Sequence, residues 1–434
     1  MQHTLRALVL FAALAGMLPP SARAEGWQLT MQDDPAIPPL LVAVEKATQR
    51  LFLYEKHSPL KLERELTCTT GQADGDKKTT GDLRTPEGIY FVVGKLSAGL
   101  DYEMYGGIAY TLNYPNPVDK LRGKTGHGIW IHSKGHDIVP RETKGCIAIN
   151  RKDIDDIGPR LVAGTAVAVA AEIATDAGGA PAQKQQPTAA EATTRRKLES
   201  RVKAWADAWS ARSPKLFDFY DANSYSLAQE APFEEFKNQK ERLFKQLPWV
   251  HTTVRNIRVM QGPGYWVTWF DQYYRAPNMT SEGVRRLYWQ PDAQGELRIV
   301  GMEWVPGNVG MEAQYLEGVT PQVATFIEKW RKAWEKADAK TYASFYADDA
   351  KQQGRTGATA IRQHKQQLWA VAKPARVTLS GIRIVSDANG VTADMVQTYR
   401  DASGKQDVGT KTLKLHPHGS GWRIISEDWT PHTR

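Results

Sequence analysis

Apolar positions fall in short runs through the first third of the chain. Leu40-Leu-Val-Ala-Val-Glu45 and Gln49-Arg-Leu-Phe-Leu-Tyr54 flank Lys46-Ala-Thr48, which predicts a β-hairpin. Gly88-Ile-Tyr-Phe-Val-Val93 and Gly128-Ile-Trp-Ile-His132 are glycine-bounded runs of β-branched and aromatic residues, predicting two more strands. Thr165-Ala-Val-Ala-Val169 predicts a closing strand, and Asp153 to Leu161 fits a short helix. Residues 36–172 therefore read as one β-rich domain. Residues 173–194, rich in Ala, Gly, Pro, Gln and Thr without periodicity, read as a flexible linker.

Helical periodicity follows, and it comes twice. Leu198, Val202, Trp205 and Trp209 fall on one face of a predicted helix, as do Phe326, Trp330 and Trp334. The pairs Trp205/Trp330 and Trp209/Trp334 share an offset of 125 (330 − 205; 334 − 209). The same offset relates Tyr274-Arg275 to Tyr399-Arg400 and Glu303-Trp304 to Asp428-Trp429. Matches at both ends and the middle of the segments point to duplication, with copies over residues 195–308 and 319–434. A helix first and strands after it resembles the SnoaL-like cone fold of the nuclear transport factor superfamily. The expected fold class is mixed: a β-rich domain followed by two α+β cones.

The 434 residues suggest roughly three domains at about 150 residues each. A composition of 41% hydrophobic and 24% charged residues excludes a disordered or fibrous chain. The net charge of +8 favours anionic surroundings without choosing among nucleic acid, membrane surface and wall polymer. The N-terminus makes that choice. Residues 1–24 combine a basic start, an apolar run from Ala7 to Leu18 and an Ala-Arg-Ala ending, the pattern of a secretory signal peptide. The mature protein is expected in the periplasm, with no transmembrane span after cleavage and no nucleic-acid partner. With two cysteines, Cys68 and Cys146, the chain is no disulfide scaffold. Cys68 lies in a strand-like stretch and reads as a buried apolar residue.

Cys146 lies in a different setting, Thr143-Lys-Gly-Cys146-Ile-Ala-Ile-Asn150, a loop beyond Gly126-His-Gly-Ile-Trp-Ile-His132-Ser133. A cysteine in a Gly-Cys turn leaves its thiol open to substrate and its backbone amide free to bind an oxyanion. A histidine at a strand end can take the thiol proton, or hold a thiolate–imidazolium pair with the thiol well below its free pKa of about 8.5. That histidine needs an orienting group. With no Asp or Asn obviously placed, the Ser133 carbonyl is the candidate. A metal centre on His127, His132 and His136 is disfavoured, because their spacing faces them together on a helix and the residues between predict a strand.

These residues resemble the YkuD-type L,D-transpeptidase family, whose signature is His-Gly or His-Ser and then Ser/Thr-x-Gly-Cys. Three further marks fit: Arg84-Thr85-Pro86-Glu-Gly88-Ile-Tyr90, Ala109-Tyr-Thr-Leu-Asn113-Tyr114-Pro115-Asn116, and Asp153 seven residues after the cysteine. The resemblance implies attack by Cys146 on the diaminopimelate carbonyl of a tetrapeptide stem in peptidoglycan, with no cofactor. An amine acceptor makes the protein an L,D-transpeptidase; water makes it an L,D-carboxypeptidase of the kind that sets cell shape. A non-catalytic wall-binding scaffold is the third reading. Gly145 and Thr143 are expected to shape the oxyanion loop. The family's usual His before Gly-Cys is Lys144 here, and its usual Arg two residues after the cysteine is Ala148, so Lys144, Arg84, Arg141 and Tyr114 become candidates for substrate contacts. The C-terminal copies are expected to bind wall or a periplasmic protein partner.

Overall fold

The computed structural model describes residues 26–30, 36–55, 61–174, 188–276, 279–387, 390–419 and 421–432. The expected signal peptide and the middle of the expected linker lie outside them. No helix among the described residues is long and apolar enough to cross a membrane.

A short strand, β1 (Gln28–Leu29), precedes a closed barrel. Its strands are β2 (Leu40–Glu45), β3 (Arg50–Glu55), β4 (Lys61–Thr69), β5 (Gly88–Leu96), β6 (Ala109–Leu112), β7 (Trp130–His132), β8 (Ile147–Ile149) and β9 (Ala166–Ala170). Around the barrel the order is β2-β3-β4-β8-β7-β6-β5-β9. Helices α1 (Tyr102–Tyr105), α2 (Pro117–Leu121) and α3 (Arg151–Ile157) lie in the connections. The predicted hairpin is present, with Leu40 opposite Glu55 and Glu45 opposite Arg50.

The strand register explains why these runs are continuously apolar instead of alternating. Val42, Val44, Leu51, Leu53, Tyr90, Val92, Val167 and Val169 fill the barrel interior. Their neighbours Leu41, Ala43, Phe52, Tyr54, Ile89, Phe91, Ala166 and Ala168 point outward, yet they too are buried. A strand with both faces covered needs apolar residues at every position. The outer cover is the sheet of the first C-terminal copy, which contributes Met260, Tyr265, Val267, Trp269, Tyr288 and Val300. Phe91 and Trp269 meet edge to face at 5.1 Å. Polar contacts fix the docking. The Tyr265 hydroxyl accepts from the Ile89 N–H at 2.8 Å, and Asn113 donates to Glu303 at 3.1 Å. Arg286 pairs with Glu303 at 3.0 Å and stacks over the Phe91 ring.

The linker expected over 173–194 loses both ends to regular structure. β10 (Glu172–Ile173) pairs in parallel with β1, and helix α4 (Ala189–Ser210) starts earlier than expected. The early start follows from a reciprocal capping box: Thr188 accepts from the Glu191 N–H while Glu191 accepts from the Thr188 N–H.

The first cone continues with α5 (Ala222–Gln229), α6 (Phe233–Gln246), β11 (His251–Gly262), β12 (Tyr265–Ala276), β13 (Met279–Pro291) and β14 (Leu297–Pro306), its strands forming a four-stranded antiparallel sheet. The second comprises α7 (Met311–Glu335), α8 (Ala339–Ala343), β15 (Tyr346–Gln352), β16 (Arg355–Thr356), α9 (Ala358–Val371), β17 (Pro374–Asp387), β18 (Gly390–Asp401), β19 (Gln406–His418) and β20 (Gly421–Pro431). Helix α7 begins before residue 319 because the first cone caps it: Glu282 accepts from the Met311 and Glu312 N–H groups at 2.9 and 3.1 Å. The repeated tryptophans are core. Trp205 and Trp330 are fully buried, and each indole donates to a tyrosine hydroxyl at 3.0 Å, Tyr220 in one copy and Tyr346 in the other. The molecule is a β-barrel followed by two α+β cones, the mixed class predicted above.

Candidate active site

β7 and β8 run parallel, with Ile131 opposite Ile147 and His132 opposite Ala148. One further step back along this register sets Cys146 beside Trp130. Because side chains alternate, Ile131, Ile147 and Ile149 enter the barrel interior, and Trp130, His132, Cys146 and Ala148 share the opposite face. His132 and Cys146 are diagonal neighbours on that face, one strand across and two residues along. His132 is buried and Cys146 partly exposed.

The turn before the cysteine is closed by Thr143. Its hydroxyl accepts from the Gly145 N–H at 3.1 Å and donates to the Cys146 carbonyl at 2.7 Å. The Gly145 amide is thus engaged within the turn. Glycine is required there: φ is 129°, and a Cβ would stand 2.8 Å from the Arg84 carbonyl oxygen.

His132 Nδ1 lies 2.5 Å from the Ser133 carbonyl oxygen. A carbonyl can only accept, so Nδ1 carries the proton and Nε2 keeps its lone pair. Burial pushes the imidazole down to about 4. Burial likewise pushes the Cys146 thiol up to about 11, opposed in part by the Trp130 N–H and the charge of Lys77. Of the two arrangements expected, this favours proton transfer to the imidazole over a preformed thiolate–imidazolium pair. In the free protein burial favours the neutral form of each group at pH 7. The thiol donates to the Gly128 carbonyl at 3.4 Å.

Tyr105, which the sequence reading did not single out, roofs the pair. Its ring meets His132 edge to face at 5.1 Å and lies 5.0 Å from Trp130. Burial raises its hydroxyl pKa, and the nearby sulfur adds to the effect. Helix α1 holds it, capped by Asp101 and ended by Gly106, where a Cβ would collide with Ser133 Oγ.

The other candidates separate. Arg84 borders the cysteine turn through its carbonyl, and its buried Nε has no hydrogen-bond partner among the described residues. Lys144 is exposed next to the cysteine. Arg141 pairs with Asp74. Tyr114 packs in the barrel interior and its hydroxyl donates to the Thr125 carbonyl at 3.1 Å, a structural and not a substrate-facing position. Three lysines that the sequence reading did not single out are buried around the loop that carries Arg84. Lys46 pairs with Glu87 and Lys77 with Asp82, and Lys124 binds Asp76 and Asp119. Cys68 is a free, buried thiol on β4, opposite Ile149.

A family model described as the L,D-transpeptidase catalytic domain, YkuD, matches residues 39–169. Residues 39–169 are a YkuD domain. A second model, the Cds6 C-terminal NTF2-like domain, matches residues 197–303 and again residues 322–428, so both cones behind the YkuD domain are NTF2-like. YkuD domains belong to cysteine-based enzymes that modify peptidoglycan by L,D-transpeptidase or carboxypeptidase chemistry. Among solved structures, Bd1075 of Bdellovibrio bacteriovorus is 23% identical over 65% of this chain and 97% of its own, with a TM-score of 0.49. The helical cell shape determining protein Pgp2 of Campylobacter jejuni is 25% identical over 61% of this chain and 91% of its own, with a TM-score of 0.48. No curated protein matches.

Proposed function

We infer that this protein is an exported peptidoglycan acyltransferase with Cys146 as nucleophile and His132 as its base. The observation that carries this reading is the Nδ1 contact to the Ser133 carbonyl. It leaves the Nε2 lone pair as the proton acceptor, on the same barrel face as the thiol. As the sulfur attacks the diaminopimelate carbonyl of a tetrapeptide stem, Nε2 takes the thiol proton. The C–S bond forms, the carbonyl becomes a tetrahedral oxyanion, and its collapse breaks the amide to the terminal D-Ala. His132 returns the proton to that leaving amine. The thioester then passes to a stem amine, giving a cross-link, or to water, giving a tripeptide.

With both partners neutral beforehand, the proton moves together with the attack. The charge that develops is stabilised only once substrate has displaced water, where each donor counts for more. Arg84 and Lys144 are the cations assigned to the stem carboxylates in place of the family arginine, absent at Ala148. The test is incubation with a disaccharide tetrapeptide and mass analysis of products. Dimers identify the transpeptidase, and tripeptide alone identifies the carboxypeptidase. C146S should abolish either product, and turnover surviving in C146S would end the proposal.

A further inference from the structure

The two cones arose from one sequence, yet their interiors differ in charge. Lys240 on α6 and Lys365 on α9 are 125 apart and play matching parts. Lys240 lies 4.6 Å above the Trp209 ring and Lys365 5.1 Å above Trp334. A second cation faces each. Arg285 is opposite Phe270 and Trp304, and Lys411 occupies the same rung in the second cone, opposite Met395 and Trp429. In the second cone the pair is neutralised from within. Glu427 binds Lys411 at 2.5 Å and accepts from Tyr342 at 3.1 Å and Gln352 at 2.6 Å. Burial alone would raise this carboxyl, but Lys411 and Lys365 hold it down to about 2.

The residue 125 before Glu427 is Met302. Among the described residues, Arg285 in the first cone therefore has the Gln272 amide oxygen at 3.1 Å and the Met302 sulfur at 3.9 Å as its hydrogen-bond partners. Trp209 and Trp304 wall it in, and it is 8% exposed. Lys240 forms no ion pair or hydrogen bond among the described residues. Burial and the Arg285 charge push it down to about 8, and burial pushes Arg285 down to about 10. A buried and a half-buried cation without a counter-charge among the described residues are costly unless an anion joins them. A groove of about 870 Å³ between α5 and α6, lined by Tyr225, Phe236, Glu235, Glu241, Arg242 and Lys245, borders Lys240 through the Phe236 ring. Phe236 is the second ring under Lys240. Burial raises the Tyr225 hydroxyl pKa, and the Arg285 charge opposes it.

We propose that the first cone is a receptor for a carboxylate-bearing ligand, whose carboxylate takes between Arg285 and Lys240 the place that Glu427 fills in the second cone. Guanidinium and ammonium would share its oxygens, and the aromatic walls would take the organic part. The second cone, holding its own carboxylate, would bind none.

The test is calorimetric titration of the full chain with benzoate, acetate and inorganic phosphate, alongside M302E and K240Q. The first substitution places a carboxylate where the second cone has one. K240Q changes a half-buried side chain and keeps the test decisive if M302E fails to fold. Saturable binding of benzoate at one site per chain, weakened at least tenfold in either folded variant, is the expected result. No saturable carboxylate binding, a second equivalent site, binding undiminished in K240Q, or a response to phosphate alone would each overturn the proposal.

Discussion

A thiol held near 11 beside an imidazole held near 4 has a definite chemical signature at the scale of single residues. A preformed thiolate would be alkylated at a rate already flat by neutral pH, whereas a neutral thiol reacts in proportion to its small ionised fraction. Iodoacetamide labelling of Cys146 in the free protein should therefore rise about tenfold per pH unit from 7 to 10, without a plateau. Cys68, buried on β4 and pushed up to about 12, should remain unlabelled in the folded chain. Peptide mapping by mass spectrometry reads both sites separately. A plateau below pH 8 at Cys146 would show an ion pair and refute the neutral resting state. The contact of His132 with the Ser133 carbonyl, and the candidacy of Cys146 and His132 as nucleophile and base, were legible from a glycine-flanked cysteine and a strand-end histidine. Their protonation was not, because desolvation depends on what covers the site. Tyr105 does much of that covering from a helix of only four residues, with no motif to mark it.

At the scale of elements, the turn from Thr143 to Cys146 and the loop carrying Arg84 are built against each other, and Gly145 is where they touch. Gly145→Ala would bring a Cβ against a backbone oxygen that cannot swing aside, in a conformation that L residues rarely adopt. The expected cost is about 1–3 kcal/mol of stability, measurable by urea unfolding. Turnover of tetrapeptide should fall at least tenfold, because relieving the clash displaces the nucleophile's backbone. An alanine variant as active as the parent would show that the turn does not position the sulfur. The hairpin and strand runs could be read in advance because a period of two is local information. Lys46 and Lys124 could not: a lone lysine reads as a solvated charge until Glu87 and Asp76, 41 and 48 residues away in sequence, are seen to meet it. The start of α4 at Ala189 was in principle legible, since Thr188-Ala-Ala-Glu191 is a capping-box pattern within a segment whose composition suggested a linker.

For the whole molecule, duplication gave two similar cones, and the outer faces of their sheets decide which one belongs to the barrel. Val267 and Trp269 lie against the barrel; the residues 125 further on are Thr392 and Asp394, and Asp394 pairs with Arg383 instead of meeting an apolar surface. Such runs as Leu40 to Val44 announced strands but not that both of their faces are covered or by what, so the sequence carried half of this interface in each domain and its assembly in neither. Barrel and first cone should accordingly unfold as one unit. Trp269→Ala removes an indole packed on Phe91 and should cost about 3–5 kcal/mol. The loss should appear as one earlier transition shared by both domains. Asp394→Ala, at the matching place on the second cone, should change stability by roughly 0.5 kcal/mol or less. Calorimetry of the two variants distinguishes the cases. Were W269A to melt the first cone early while barrel fluorescence and Cys68 protection persisted to the parent temperature, the two would be separate domains in loose contact. A shared transition instead means that any strain or ligand binding in the first cone acts on the same cooperative body that holds Cys146 and His132, since Phe91 and Ile89 reach the cone from a barrel strand whose other face, through Tyr90 and Val92, packs in the interior with Ile131 and Ile147.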